Sequence, residues 1–186
     1  PFMKTPVYWI GLLCTVAMFP TWARLDFAFT NGVPAGGVLC DGSTVEPGVG
    51  LVPSRTTDVR ATSAGFSLTR PVAYPEAYRF EAELAFPDVQ EYAAERGGVV
   101  WDDFHAETNA DACAYTGTRM EVDLDDDGMV CPRVSLGLGA KQHEAEWPRF
   151  RLEDGIPVRL AYEYDGRGRI LLMQNGVTNG ESLVDA

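Results

Sequence analysis

The sequence predicts an all-β protein, an antiparallel β-sandwich, preceded by a single N-terminal transmembrane helix. Three observations lead to this prediction. Short runs in which apolar and polar residues alternate recur after residue 24, and this period of two is typical of strands with one buried face. Turn dipeptides such as Asn-Gly and Asp-Gly separate the runs. A long apolar stretch occupies residues 7–23 at the N-terminus.

The N-terminal stretch has the features of an export signal. Lys4 precedes the apolar run VYWIGLLCTVAMF, and the small residues Thr21 and Ala23 suit a signal peptidase that cuts before Arg24. Residues 7–23 are also just long enough to cross a bilayer, since a spanning helix needs about 17–25 residues. The segment therefore has the properties of a signal and of an anchor.

Two tryptophans favour the anchor. Trp9 and Trp22 lie near the two ends of the stretch, where an aromatic belt meets the lipid headgroups. We therefore expect residues 1–24 to be an uncleaved anchor and residues 25–186 to form one domain outside the cytoplasm, in the periplasm, a lumen or the cell exterior. The alternative is a helix buried in the core, because the stretch is short for a membrane span.

The overall composition excludes two classes of protein. Hydrophobic residues make up 46% of the 186 residues and aromatic residues 11%, which is enough to fill a core, so disorder is not the expected state. The formal net charge is −12 and no basic run occurs, whereas proteins that bind nucleic acid normally carry a basic face. We therefore expect no nucleic-acid partner, and solubility accounts for the acidity.

The first predicted strands lie before residue 105. RLDFAFTNG alternates and ends in an Asn-Gly turn, residues 33–65 form loops with brief strands, and GFSLTRPV is a further strand. YRFEAELAF is the clearest strand, because its apolar residues face one way while Arg79, Glu81 and Glu83 face the other. VQEYAAERGG predicts one or two helical turns, and GVVWDDF predicts a strand.

Two hairpins are predicted in the second half of the chain. In TRMEVDLDDDGMVCPRVSLGL the turn is Asp127-Gly128, and Pro132 predicts that the returning strand lies at an edge or contains a bulge. In IPVRLAYEYDGRGRILLMQNGV the turn contains Gly166 and Gly168, which adopt positive φ without strain. The residues of this hairpin expected to face the core are Val158, Leu160, Tyr162 and Tyr164.

The order of these elements resembles the concanavalin A-like, laminin-G-like jelly rolls over about residues 25–180. Those domains carry a strand like YRFEAELAF, a turn-rich middle, and a final strand, YDG turn and strand that leads to NG. Here the ending is YDG at residues 164–166 and NG at residues 175–176, and GIPVRLAYEY replaces the usual Trp-His before the penultimate strand. The resemblance implies a jelly-roll sandwich, a lectin-like role in glycan binding, and loop carboxylates at the rim that bind calcium.

The cysteines fit an exported domain. Cys14 lies in the predicted anchor, and Cys40, Cys113 and Cys131 lie outside it. Cys113 and Cys131 flank a predicted hairpin, so we expect a disulfide between them, which leaves Cys40 unpaired. A bridge that closes a loop of this size would stabilise the fold by about 3 kcal/mol. The competing interpretation is three buried thiols.

EVDLD predicts three carboxylates on one face of a strand, because residues two apart share a face. Glu121, Asp123 and Asp125 resemble the Glu-x-Asp-x-Glu signature of retaining jelly-roll glycoside hydrolases, in which the first Glu is the nucleophile and the last is the acid/base. Asp125 is one methylene shorter than that Glu, and the motif runs into a tight turn. We therefore expect no catalytic activity. A cleft with Glu121 and Asp125 about 5 Å apart would favour the hydrolase.

The same stretch also predicts a calcium site. Asp123, Asp125, Asp127 and Gly128 match the first ligand positions of an EF-hand loop, but Val134 stands where that loop requires a bidentate Glu. Because the flanking segments are predicted strands, an EF-hand is not expected. A looser calcium site at the three aspartates is the one cofactor that the sequence leaves open.

Several aromatic residues could stack on sugars. Trp101, Tyr115 and Trp147 are the candidates, and Trp147 lies in the polar context AEWPRF. For this tryptophan a glycan or partner contact and an anchoring role in the core are equally open. His105 and His143 are the only histidines, and we expect both to be polar surface residues.

Three functions compete at this point. Gly11, Cys14, Thr15 and Ala17 are small residues at helical spacing, so the anchor could pack against other helices. This pattern favours a non-catalytic accessory subunit of a larger membrane complex, whose partners are other membrane subunits. The first alternative is a membrane-tethered lectin, which a rim of carboxylates with an exposed tryptophan would favour. The second is the glycoside hydrolase.

Overall fold

The computed structural model contains strands, turns and irregular segments. It describes residues 14–16, 25–27, 29, 32–40, 43–47, 49–52, 65–69, 76–86, 88–89, 98–108, 113–124 and 127–184. The strands are β1 (Cys14–Val16), β2 (Leu25–Phe27), β3 (Gly37–Cys40), β4 (Thr44–Glu46), β5 (Gly50–Val52), β6 (Gly65–Leu68), β7 (Tyr78–Leu84), β8 (Gly98–Asp102), β9 (His105–Thr108), β10 (Cys113–Thr116), β11 (Thr118–Leu124), β12 (Met129–Leu138), β13 (Lys141–Glu146), β14 (Phe150–Arg151), β15 (Val158–Tyr164), β16 (Arg169–Gln174) and β17 (Val177–Leu183). The predicted all-β class is confirmed.

Two antiparallel sheets form the body of the fold. Sheet I has the strand order β13-β12-β11-β8, and β14 pairs with the start of β12. Sheet II has the order β17-β16-β15-β7. Four shorter pairs complete the described part, namely β1 with β2, β3 with β6, β4 with β5, and β9 with β10. Both predicted hairpins of the second half are therefore present, as β11–β12 and β15–β16.

One hydrophobic core lies between the two sheets. The alternation predicted for YRFEAELAF is confirmed, because every second residue of β7 is buried. Sheet I contributes apolar side chains from the opposite side, and this burial is the main driving force for packing the sheets together. The central residues are Phe80, Leu84, Met120, Val122, Val134, Leu136, Leu160, Tyr162, Ile170 and Leu172.

Buried polar contacts also connect the sheets. The Thr118 hydroxyl of sheet I and the Tyr162 hydroxyl of sheet II form a hydrogen bond of 2.6 Å. Tyr78 joins the same group, and burial raises the pKa of its phenol well above the ordinary value. Because a buried hydroxyl without a partner is costly, this network favours one relative position of the two sheets.

The YDG turn is stabilised by its aspartate. Asp165 Oδ1 accepts hydrogen bonds from the backbone N–H groups of Arg167 and Arg169, at 2.7 and 2.9 Å. These bonds, the one from Arg169 foremost, lower the pKa of the Asp165 carboxyl. Asn175 and Gly176 both have positive φ, at 51° and 80°, as the predicted Asn-Gly turn requires.

Pro132 lies in a central strand, which corrects the edge prediction. The β12 strand pairs with β11 on one side and with β13 and β14 on the other. The β13 ladder ends at the pair of Arg133 with Glu146, and β14 begins its pairing at Val130, so Pro132 falls between them. A proline is tolerated there because no neighbour needs its missing N–H. Its carbonyl accepts a 2.9 Å hydrogen bond from Trp147 N.

The described part of the predicted anchor is a strand. Cys14–Val16 pairs with Leu25–Phe27 and lies against β7 of sheet II. A helix is therefore not formed at these three residues, and the β-branched Thr15 and Val16 suit a strand. The other predicted anchor residues, Trp9, Gly11 and Trp22, lie outside the described residues, as does the helix predicted after residue 89. No helix within the described ranges is long and apolar enough to span a bilayer.

Candidate functional site

The outer surface of sheet I carries two cross-strand rows of side chains, all of them polar except Val99. They alternate with buried residues such as Met120 and Val122, so they point away from the core. The first row is Asp102, Arg119, Ser135 and Glu144, on β8, β11, β12 and β13. The second row is Val99, Glu121, Arg133 and Glu146, on the same four strands. We call these two rows, together with Asp123, the polar face.

Arginines on the polar face are held by carboxylates. Arg133 donates from Nε to Glu121 Oε2 at 2.9 Å, and its Nη2 lies 3.2 Å from Asp123 Oδ2. Arg119 Nη2 lies 2.9 Å from Asp102 Oδ2. The hydrogen bond that Arg133 donates to Glu121 raises the pKa of Arg133, and the bond that Arg119 donates to Asp102 raises the pKa of Arg119. Both guanidiniums are therefore charged at any physiological pH.

A bent hairpin stands on the outer side of sheet I. Strands β8 and β11 continue beyond sheet I as β9 and β10, and the chain bends at Gly117, where φ is 75°. At Gly137, whose Cβ direction is outward, an added Cβ would lie 2.3 Å from Thr116 N and 2.5 Å from the carbonyl carbon of Tyr115. The β10 backbone therefore crosses directly over Gly137, and Tyr115 and Gly139 exchange hydrogen bonds there.

Two aromatic side chains of the bend lie beside the polar face. Phe104 and Tyr115 are half-buried, with ring centroids 6.1 Å apart. The guanidinium carbon of Arg119 lies 5.8 Å from the Phe104 centroid, within the range of a cation–π contact. Because Arg119 belongs to the first row of the polar face, this contact brings the aromatic pair next to that row. We call Phe104 and Tyr115 the aromatic wall.

The β13 side of the polar face offers further hydrogen-bonding groups. Ser135 faces outward yet is only 5% exposed, and its hydroxyl lies 3.5 Å from Glu144 Oε1. Gln142 Nε2 donates to the same oxygen at 2.7 Å. The face thus combines charged donors, carboxylate acceptors and an amide within four strands.

The outer surface of sheet II is different in character. Arg79 contacts Glu81 and Glu163, at 2.5 and 2.8 Å, and Arg159 contacts Glu83 at 3.1 Å and Glu81 at 3.6 Å. The carboxylates and guanidiniums on this side compensate one another in a continuous network. The aromatic wall lies on the opposite side of the sandwich, so the polar face of sheet I is the better candidate site.

The predicted carboxylate motif lies partly within this site. Glu121 and Asp123 share the outer side of β11, as the sequence predicts, and Arg133 contacts both. Asp125 lies outside the described residues, so its distance to Glu121 is not part of the described geometry. Asp127 is exposed in the turn. Among the described residues, no three His, Cys, Asp or Glu side chains are grouped to hold a metal ion. A calcium site that includes Asp125 stays a prediction.

Both predicted contact tryptophans face the core, which corrects their assignment to a binding surface. Trp147 is 1% exposed, and its Nε1 donates to Met173 O of sheet II at 3.0 Å. Trp101 pairs with Met120, which points inward, and its ring lies 5.5 Å from the Phe80 ring. Of the three aromatic candidates, only Tyr115 stands at the outer site.

The predicted disulfide is wrong, because Cys131 is a free thiol, as is Cys40. Strand β10 pairs with Gly139, the residue that follows β12, and Gly139 lies about 26 Å along the chain from Cys131 at 3.3 Å per residue. Cys113 lies farther along β10 in the direction away from Cys131. A disulfide requires Cα atoms about 4.4–6.8 Å apart, so the two residues cannot be joined.

We expect Cys131 to react slowly with alkylating reagents at neutral pH. Burial raises the pKa of its thiol, and the carboxylate of Glu146, with Oε2 3.9 Å from Sγ, raises it further. Since the thiolate is the nucleophile, alkylation by iodoacetamide at pH 8 should be slower in the folded protein than in urea, and should accelerate as the pH rises. Glu146→Gln should increase the rate at pH 8. Peptide mass spectrometry measures this, and equal rates in both variants would contradict the electrostatic contribution.

Sequence reasoning missed much of the site, including Arg119, Arg133 and Phe104. Arg119 and Arg133 occur at alternating positions of two predicted strands, and the pairing of these strands would have placed them among the carboxylates. Phe104 is the last residue of the predicted strand GVVWDDF, but β8 ends at Asp102, so alternation does not give its direction. Its position depends on the bend at Gly117, and a lone glycine in a strand pattern was the available signal.

Comparisons with known proteins identify no relative. No protein-family model matches the chain, and no curated protein and no solved structure is significantly similar to it. The geometry of the polar face and the aromatic wall is therefore the basis for assigning a function.

Proposed function

We propose that the chain is a non-catalytic carbohydrate-binding domain that holds saccharides between the polar face and the aromatic wall. The observation that carries the proposal is that Phe104 and Tyr115 lie beside the first row of the polar face, which contains Asp102 and Arg119. Sugar rings have apolar C–H faces and a rim of hydroxyl groups. Aromatic side chains can cover the ring faces, while carboxylates accept and guanidiniums donate hydrogen bonds to the hydroxyls.

The polar face favours binding over hydrolysis. A retaining hydrolase needs two carboxyl groups on either side of one glycosidic bond. Arg133 contacts both Glu121 and Asp123, so its guanidinium occupies the space between the two described carboxylates of the motif. The proposed domain therefore binds saccharides without cleaving them, and its two antiparallel sheets around one core form the scaffold of the site.

Charge limits the saccharides that the domain would accept. Five carboxylates of the polar face, Asp102, Glu121, Asp123, Glu144 and Glu146, accompany two arginines, and the whole chain has a net charge of −12. A negative potential disfavours the approach of anionic ligands. Neutral glycans are therefore the proposed class, and sulfated or uronic-acid polymers should bind weakly.

A glycan array tests this proposal. We expect the full chain to bind neutral glycans. Phe104→Ala or Tyr115→Ala should raise the protein concentration at half-saturation about tenfold or more, because removal of a central aromatic contact costs about 1.4 kcal/mol or more. Tyr115→Phe keeps the ring and should retain most binding. Ile156→Ala alters an exposed apolar residue away from the site and serves as the control. Absence of binding with and without Ca²⁺, or full binding by both alanine variants, would reject the proposal.

The sequence supports a second proposal, an accessory subunit of a membrane complex with an extracytoplasmic domain. It rests on the apolar residues 7–23 and on Trp9 and Trp22 near their ends. The strand Cys14–Val16 against sheet II counts against a continuous helix there. Native electrophoresis of gently solubilised membranes distinguishes the two proposals. Migration of the chain in a large complex supports the accessory subunit, and migration as a free chain rejects it.

A further inference from the structure

Asp102 connects the two parts of the candidate site. It is the last residue of β8, and its two carboxylate oxygens have different partners. Oδ1 accepts a 3.1 Å hydrogen bond from the backbone N–H of Phe104, and Oδ2 accepts a 2.9 Å bond from Arg119 Nη2. One carboxylate thus fixes the backbone of the aromatic wall and the guanidinium that lies over its ring.

The next residue, Asp103, connects this corner of the site, where β8 ends, to the core. Asp103 Oδ1 accepts from Thr118 N at 2.8 Å, and Asp103 N donates to Thr118 O at 3.0 Å. The Thr118 hydroxyl in turn bonds to Tyr162 in the core. Because Thr118 and Arg119 are consecutive, the strand that carries Arg119 is held at this corner by three hydrogen bonds. Asp102 therefore acts from a fixed position.

We propose that Asp102 is a positioning residue of the carbohydrate site, and that it holds the Arg119 guanidinium against the Phe104 ring so that both meet a sugar as one preformed unit. The inference rests on the proposed function. An unrestrained arginine side chain loses rotamer freedom when it binds a ligand, and holding it in advance lowers that cost. Arg119 Nε is buried and has no hydrogen-bond partner in the described part of the chain, which fits a guanidinium turned toward a ring.

The two partners of Asp102 require a carboxylate. Asparagine has one acceptor oxygen and a donor NH₂ group, so it can satisfy either the Phe104 N–H or the Arg119 guanidinium. Asp102→Asn should therefore release Arg119 while changing the side-chain volume very little. Arg119→Lys removes the planar group that lies over the ring but keeps the positive charge, and provides a second, independent variant. Glu83→Gln, which alters the Arg159 contact on sheet II, is the matched control.

Two measurements test the role of Asp102. In the full chain, the Arg119 Hε proton should resonate upfield of the other arginine Hε protons because of the Phe104 ring, and Asp102→Asn should abolish this shift while Glu83→Gln preserves it. On the glycan array, Asp102→Asn and Arg119→Lys should each bind about tenfold more weakly. The thermal unfolding of Glu83→Gln, which we expect to be unchanged, is the reference for the folding of these two variants.

The outcomes separate the positioning role from the proposed function. An Arg119 signal without an upfield shift, or a shift that survives in Asp102→Asn, would overturn the inference. Loss of the shift with unchanged glycan binding would also overturn it, because the held guanidinium would then have no effect on binding. If the chain binds no glycan but shows an upfield shift that depends on Asp102, then Asp102 does hold Arg119 against the Phe104 ring, and the carbohydrate site is rejected.

Discussion

Replacing Trp147 by alanine is expected to lower the free energy of unfolding by about 3–5 kcal/mol. Trp147 is 1% exposed and is among the largest fully buried side chains of the described residues. It follows β13 of sheet I and donates from Nε1 to Met173 O of sheet II, so its removal opens a cavity between the sheets and leaves a buried carbonyl without this donor. Because domains are typically stable by about 5–15 kcal/mol, this is a large fraction of the total.

Trp147→Phe separates the two contributions. Phenylalanine keeps much of the apolar volume but has no N–H, so we expect a loss of about 1–3 kcal/mol, chiefly from the unsatisfied Met173 carbonyl. Urea unfolding followed by far-UV circular dichroism measures both variants without using tryptophan fluorescence. A loss below 1 kcal/mol for Trp147→Ala would contradict a core position for this residue.

The second large effect is expected at Gly137, where an alanine should displace the aromatic wall. Its Cβ would lie 2.3 Å from a backbone atom of β10, which cannot be relieved by a change of rotamer. The β9–β10 hairpin must then move away from sheet I, at a cost of about 3 kcal/mol. Phe104 and Tyr115 move with the hairpin. The protein concentration at half-saturation on the glycan array should therefore rise at least as much as in Phe104→Ala.

Gly180→Ala is the matched control for this substitution. Gly180 also lies in a strand, but its added Cβ would meet side-chain atoms of Leu172 at 3.1 Å or more, and these can shift. We expect a stability loss well below that of Gly137→Ala and no effect on glycan binding. Equal behaviour of the two alanine variants in urea unfolding would mean that β10 does not rest on Gly137.

Much of the fold was predictable because alternation reports burial directly. Phe80 and Leu160 lie in strands with one apolar and one polar face, and a register slip by one residue would turn every side chain to the wrong side. The turn residues near Asp165 and Asn175 fix the hairpin registers locally. Strand pairing between β7 and β15, in contrast, joins residues far apart in sequence, and no local signal specifies it.

The site was predictable only in part, because it depends on where the chain bends. Glu121 and Asp123 were found from their spacing, while the arginine between them required knowledge of the β11–β12 register. The two tryptophans have contexts that fit a surface or a core equally well, and only the packing decides. Phe104 belongs to the predicted strand GVVWDDF, but β8 ends two residues earlier, so its direction follows from the bend at Gly117 and not from periodicity.

The bend that carries the aromatic wall has a kinetic consequence. Strands β8 and β11 form one side of the site, and they are joined to β9 and β10 only by Asp103, Phe104 and Gly117. Hydrogen bonds between Asp103 and Thr118 hold these short connections, so the site takes its shape when sheet I folds. Discrimination between sugars would then occur at the moment of encounter, with differences in affinity expressed as residence time and not as a slow closing step.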